Sequence, residues 1–186
     1  MLYTGRGDDG YTDLLGGPRV AKESLRIAAL GDTDEASAAV GLARAHARDD
    51  SKAALLHVQK DLYLLMADIA TVEGKMAGQQ RLDDERVALL EQLVAGFEGR
   101  VELPKEFVAP GETVPGAVLD VARTVVRRAE RTVAALYHQG EGATQAMVTY
   151  LNRLSSLLWV LARYEDVQAG ATPVVAKEIS EMMSDE

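Results

Sequence analysis

The sequence contains no cysteine, which excludes a disulfide scaffold, a thiolate nucleophile and cysteine-ligated zinc or iron–sulfur. Only oxygen and histidine ligands remain for any metal. Prolines number five and aromatics make up 5% of the chain, a composition that argues against a β-sandwich or barrel. No apolar run approaches the roughly 18 residues that a membrane span needs, and the opening MLYTGRGDDG has neither a basic nor an apolar leader region. A basic surface is also lacking. With Lys+Arg at 20 against Asp+Glu at 29, the net charge is −9, which argues against nucleic-acid or anionic-membrane partners. Any anion site must be local, and the expectation is a soluble cytoplasmic protein.

What is present is a 186-residue chain that is 47% apolar, enough for one domain with a sizeable core. Gly5, Gly7, Gly10, Gly16, Gly17, Pro18 and Gly31 interrupt residues 1–31, which read as an ordered arm without a long helix. Asp32 or Thr33 can cap a first helix that continues to His46. Ser51 can cap a second, with Leu55, Val58, Leu62, Leu65 and Ile69 at helical spacing, ending by Gly74. A third runs from about Asp83 to Arg100, a fourth from Pro115 to about Gln139, and a fifth from about Thr144 to Val167. Residues 169–186 read as a flexible tail that orders only against something else. These features predict an all-α fold, a five-helix antiparallel bundle with an extended N-terminal arm, forming a single domain over 1–186.

Chemistry concentrates in a few places. Helix four carries Arg123, Arg127, Arg128 and Arg131 within nine residues in which Glu130 is the only acid. Arg123, Arg127 and Arg131 recur at i,i+4, where like charges cost roughly 0.2–0.5 kcal/mol per pair, so helix stability alone does not favour the stripe. Guanidiniums so arranged suit a polyanion or buried carboxylates, against the plain alternative of a solvated face. In helix five, Asn152, Ser156 and Arg163 form a thin polar strip on an otherwise apolar helix; its partners are a core hydrogen bond, an oligomer contact or a ligand. The arm TGRGDDGYTDLLGG is glycine-rich but lacks the lysine of a P-loop, although Arg6 and Lys22 could add charge beside its backbone N–H groups. Asp34 shares a face with Ala38, Gly41 and Ala45, small residues that admit a second helix, so it reads either as a helix-cap acid or as an arginine partner across a subunit contact. His46, His57 and His138 lack a glutamate three residues earlier, which argues against a di-iron bundle. Trp159 reads as core.

Taken together, YTGRGDDGYTDLLGGPRV, LGDTDEASAAVGLA, QKDLYLLMADIA, EFVAPG, VARTVVRRAER and YLNRLSSLLWVLAR resemble, in order, the PduO-type ATP:cobalamin adenosyltransferases. The resemblance spans Tyr3 to about Asp166 and implies a cobalamin adenosyltransferase-like bundle that forms a homotrimer, with ATP between neighbouring subunits and cobalamin beside it. The implied reaction moves the 5′-deoxyadenosyl group from ATP to the cobalt of cob(I)alamin and releases triphosphate, with magnesium (Mg2+) helping to hold the nucleotide. A cobalamin reductase and a B12-dependent mutase are the implied partners.

By the same resemblance, Thr4, Gly5, Arg6, Gly7, Asp8, Gly10 and Lys22 surround the polyphosphate. Arg127, Glu130 and Arg131 contact or orient ATP, and Asn152 binds the nucleotide from the next helix. Arg123 pairs with Asp34 across the subunit interface, and Phe107 lies beneath the corrin, keeping the lower axial ligand away. No metal ligands are assigned. The chain departs from the family pattern at Arg6, Asp9, Glu112, Asp120 and Ser156. Two other readings stay open: a paralogue that binds ATP or corrinoid without catalysis, and a purely structural helical oligomer.

Overall fold

The computed structural model describes residues 3–72 and 81–176. Two short strands, β1 (Tyr11–Asp13) and β2 (Arg19–Ala21), precede five helices: α1 (Leu25–His46), α2 (Asp49–Ala70), α3 (Asp84–Glu98), α4 (Val114–His138) and α5 (Gln145–Gln168). Side-chain pairings fix their directions. Asp32 meets Thr132 and Asp120 meets Arg163, so α4 runs antiparallel to both α1 and α5. Arg48, at the start of α2, meets the Gln168 carbonyl at the end of α5, while Arg100, just past the end of α3, meets Tyr164 near the end of α5, so α5 is antiparallel to α2 and parallel to α3. The result is an up-and-down bundle in which α4 packs most extensively on α5 and α1.

The helical starts follow capping chemistry. Asp83, Thr113 and Thr144 each accept a hydrogen bond from a backbone N–H in the first turn of α3, α4 and α5. Pro115 sits in that first turn of α4, where its missing N–H costs nothing. The apolar faces then close one core, with Leu55, Leu62 and Leu65 of α2, Val126 and Val133 of α4, and Leu151, Leu154 and Leu158 of α5 fully buried.

The beginning of the bundle differs from the sequence expectation. Helix α1 starts at Leu25 rather than near Asp32, so Gly31 lies inside it and the final turns of the expected arm are helical. A mid-helix glycine costs about 1 kcal/mol relative to alanine. Burial of Ala29, Thr33, Ala36 and Val40 outweighs that cost, and Thr33 is a core residue bonded to the Ala29 carbonyl rather than a cap. Ahead of α1 the arm is a small antiparallel hairpin in which Thr12 pairs with Val20. Gly16, with φ +73°, makes its turn possible. Leu15 bridges to Thr71, fastening the hairpin to the end of α2.

The chain beyond α5 is also tied down in part. Val175 bridges antiparallel to Val108, placing the beginning of the expected tail against the loop between α3 and α4. The connector expected at GKMAGQQR lies largely outside the described residues.

Candidate functional site

The loop between α3 and α4, the first half of α4 and the second half of α5 enclose a surface cavity of about 610 Å3. Phe107, Trp159, Arg123, Arg127 and Ser156 line it. Three residues expected at the site, from separate stretches of sequence, therefore share one cavity: Phe107, Arg123 and Arg127. Its size falls within the roughly 300–1,000 Å3 of small-molecule sites. Phe107 is 90% exposed, so its ring serves no core. Trp159, read as core from sequence, packs on the core with one side and forms the cavity wall with the other.

The inner wall of the cavity is a charge network in which Arg163, read from sequence only as part of a polar strip in need of partners, finds buried carboxylates that the sequence reading did not identify. Arg163 is 1% exposed. Its guanidinium donates to Asp120 Oδ2 at 2.8 Å and, through Nε, to Asp166 Oδ2 at 3.2 Å. Asp120 also accepts from Arg123 Nε at 3.0 Å. Asp166 accepts from the Thr113 hydroxyl at 2.7 Å, and that hydroxyl caps α4. One buried cation thus ties the α4 N-terminus, the last turns of α5 and an arginine of the stripe together. The available signal was Arg163 on a helix too apolar to leave it solvated.

The stripe divides in the structure. Arg128 is structural, paired with Glu35 and near Asp32 on α1. Arg131 donates to the Arg127 carbonyl at 3.1 Å. Among the described residues neither Arg127 nor Arg131 has an acidic partner, and both are exposed. Asn152 donates to Glu130 Oε1 at 2.9 Å and accepts from Arg153 at 2.8 Å, so both ends of its amide are held. Glu130 and Asn152 are brought together beside the free arginines.

Asp34 is exposed on α1 and has no partner among the described residues, while Ala38 and Ala45 on the same face are open. Arg123, expected to meet Asp34 across a subunit contact, binds Asp120 within its own helix. That bond uses Nε and leaves the terminal N–H groups of the guanidinium available.

The arm forms a separate cradle. Gly5 and Gly10, with φ +71° and +83°, flank a turn in which the Asp8 N–H donates to the Gly5 carbonyl. Lys22 Nζ closes it by donating to the Gly7 carbonyl at 2.6 Å, and a Cβ at Gly7 would sit 3.1 Å from that nitrogen. Arg19 clasps Asp9 through two nitrogens and holds that carboxyl below its usual range. Arg6 pairs with Asp13. Thr4 accepts from the Arg6 N–H at 3.4 Å. Within one chain, no hydrogen bond or ion pair among the described residues joins this cradle to Arg127, Glu130, Arg131 or Asn152.

Elsewhere, Asp61 is fully buried between Arg86, His57 and Tyr150. Burial and the Asp61 carboxylate push the Tyr150 phenol far above its usual range, so it remains a neutral donor. Among the described residues no three His, Asp or Glu side chains group as a metal cage. None of their helices is long and apolar enough to cross a membrane.

Known proteins share both sequence and shape with this chain. The family model described as cobalamin adenosyltransferase matches residues 2–165. A cobalamin adenosyltransferase from Cupriavidus metallidurans is 39% identical over 94% of this chain and 92% of its own length. A corrinoid adenosyltransferase from Mycobacterium bovis is 41% identical over 87% of this chain and 86% of its own. A solved phenylalanine-to-alanine variant of a PduO-type ATP:corrinoid adenosyltransferase from Lactobacillus reuteri, complexed with cobalamin and ATP, superposes with a TM-score of 0.84. It is 27% identical, over 94% of this chain and 98% of that one. The bundle, its arginine-lined cavity and this agreement in sequence and shape lead to one conclusion: the chain belongs to the cobalamin adenosyltransferase family.

Proposed function

We propose that the chain works as a homotrimer whose active sites are shared between neighbouring subunits, one lending the glycine cradle and the next lending α4 and the Phe107 loop. The reaction is transfer of the 5′-deoxyadenosyl group of ATP to the cobalt of cob(I)alamin, giving adenosylcobalamin and triphosphate. The observation that carries the assignment to this cavity is the meeting of an exposed aromatic, Phe107, with an arginine that has no acidic partner, Arg127. An apolar wall of Phe107 and Trp159 suits a flat macrocycle, and the guanidinium suits the phosphates beside it.

The chemistry asks little of the protein in proton transfer. The cobalt(I) lone pair attacks C5′ of ATP, the Co–C bond forms, and the C5′–O bond breaks with its electron pair leaving on triphosphate. What the side chains supply is in-line placement and charge neutralisation of the leaving group. Arg127 and Arg131 are free to meet the triphosphate, and the Glu130–Asn152 pair orients the nucleoside end. Thr4 to Gly10 and Lys22 enclose the phosphates from the other side, with backbone N–H groups and one ammonium. Phe107 occupies the lower face of the corrin and keeps its axial ligand away. Magnesium accompanies the nucleotide as MgATP, since such an ion keeps several waters and needs only one or two protein carboxylates. The protein operates in the cytoplasm, receiving reduced corrinoid from a reductase and passing its product to a mutase.

Two features support a shared site. Helix α4, with 25 residues, is about 37 Å long. Phe107 lies towards its beginning, whereas Pro18 and Val20 of the arm line a cavity together with Gly140 and Gly142, just past its end. On the outer face, Asp34 and the terminal nitrogens of Arg123 are both open for a contact between chains.

Co-expression of two inactive variants tests the shared site. Lys22→Ala damages the cradle and Arg127→Ala the stripe, so each alone is inactive. In a ring with random mixing about a quarter of sites would combine an intact cradle with an intact stripe, restoring about a quarter of the activity. Absence of any recovery in verified mixed trimers contradicts a site shared in this way.

A further inference from the structure

We infer that the segment after α5, Pro173 to Ala176, is a positioning strap for Phe107, and so takes part in corrinoid activation although it contributes no side chain to the cavity. The inference rests on the placement of Phe107 beneath the corrin. It concerns residues beyond the stretch matched by the family model, which ends at 165.

Phe107 cannot be placed by packing, because its ring is 90% exposed. Its position must come from the backbone. Among the described residues, the backbone–backbone hydrogen bonds of residues 104–110 both come from the strap: Ala109 N–H donates to the Val174 carbonyl at 2.9 Å, and Ala176 N–H donates to the Phe107 carbonyl at 2.8 Å. Val108 and Val175 face each other between them as an antiparallel bridge. The two bonds bracket Phe107 and Ala109, the residue itself and the one that leads into Pro110. On the strap, Pro173 limits its own φ and favours extended backbone at Thr172, so the segment enters the pairing with part of its entropy already removed.

The strap's own anchor is firm. The Ala171 N–H donates to the Asp166 carbonyl at 3.0 Å, and the Asp166 carboxylate is held by Arg163 and by the Thr113 cap of α4. The charge network behind the cavity, the α4 cap and the Phe107 loop are therefore one connected construction. Loosening the strap changes where Phe107 sits without touching the nucleotide side, since neither Arg127, Glu130 nor Asn152 bonds to it.

Ala176→Pro in the full-length chain removes the single N–H that holds the Phe107 carbonyl, and Ala176→Gly, which keeps that N–H, is its control. Loss of one such bond should shift the loop population about fivefold. We expect Ala176→Pro to lower turnover of cob(II)alamin under reducing conditions by about that factor. The four-coordinate cob(II)alamin absorption should weaken with it. KM for ATP and turnover of pre-reduced cob(I)alamin should change much less, and Ala176→Gly should behave like wild type. Hydrogen exchange at Ala109 should quicken in the proline variant alone. The strap is refuted if Ala176→Pro keeps wild-type cob(II)alamin turnover while Phe107→Ala loses it. If Phe107→Ala itself behaves like wild type, the placement of Phe107 beneath the corrin fails first, and the strap's role fails with it.

Discussion

The chain has two phenylalanines, and they sit in opposite environments: Phe97 is 6% exposed and Phe107 90% exposed. Removing each ring separates stability from chemistry within one protein. Phe97 meets Tyr164 edge-on at 5.3 Å and lies under the Arg100 guanidinium, so Phe97→Ala should cost about 3–5 kcal/mol. At roughly 2–4 °C per kcal/mol for a chain of this size, the melting temperature should fall by about 10 °C. Full burial of a phenylalanine contributes about 1.5–3 kcal/mol, and Phe107 buries about a tenth of its surface, so Phe107→Ala should cost no more than about 0.3 kcal/mol. That corresponds to about 1 °C. The chemical effect should run the other way. With the ring gone, the lower ligand or water should return to cobalt, the four-coordinate cob(II)alamin signature expected of the wild type with ATP should be lost, and turnover of cob(II)alamin should fall far more than turnover of pre-reduced cob(I)alamin. Melting curves and paired anaerobic assays on both variants decide the matter. A large melting shift in Phe107→Ala, or equal losses on the two corrinoid oxidation states, refutes the placement of Phe107 beneath the corrin.

Further perturbations follow from the same geometry. Arg127→Ala should abolish transfer and weaken ATP binding while the melting temperature without ligand stays within about 1 °C, because the guanidinium has no acidic partner to lose; normal ATP affinity in a titration would remove Arg127 from the nucleotide site. Gly116→Ala, a change that usually favours a helix, should instead destabilise by about 1–3 kcal/mol, since the new Cβ would lie 2.2 Å from Asp166 Oδ1 in the charge network; a raised denaturation midpoint contradicts the tight packing there. The Asp50 carboxyl is held below its ordinary 3.8 by its bond to Arg100, so its contribution is present above that value and lost as pH falls through the lowered one. Asp50→Asn should therefore remove part of the stability loss below about pH 4, with little added pH dependence at neutrality.

Legibility from sequence depended on whether a feature announces itself through side chains. Helices α3 and α5 begin where Asp83 and Thr144 can accept from first-turn N–H groups, and α4 where Pro115 removes one such N–H, and those starts were readable to within a residue or two. Helix α1 was read short because Gly31 breaks propensity, whereas the buried face of Ala29, Thr33 and Ala36 that overrides it becomes visible only once α2 and α4 are in place. The arginine stripe was legible as an oddity of charge spacing. Its division into structural Arg128 and unpaired Arg127 was not, because Glu35 reaches Arg128 from another helix. Asp120 stood out in the sequence only as a departure from the family pattern and Asp166 only as the end of the resemblance; their pairing with Arg163 shows only once that residue is buried between them. The strap at Val174 and Val175 works through backbone bonds, which leave almost no trace in residue identity.

The most direct measurement is anaerobic incubation of the wild-type chain with MgATP and pre-reduced cob(I)alamin, following the Co–C bond by its light-sensitive absorption and the released polyphosphate in the same sample. We expect adenosylcobalamin to accumulate with one triphosphate released per Co–C bond formed, and none without ATP. Tight binding of both substrates with no Co–C bond, or cleavage of ATP to phosphate or diphosphate in place of triphosphate, would contradict adenosyl transfer by this chain.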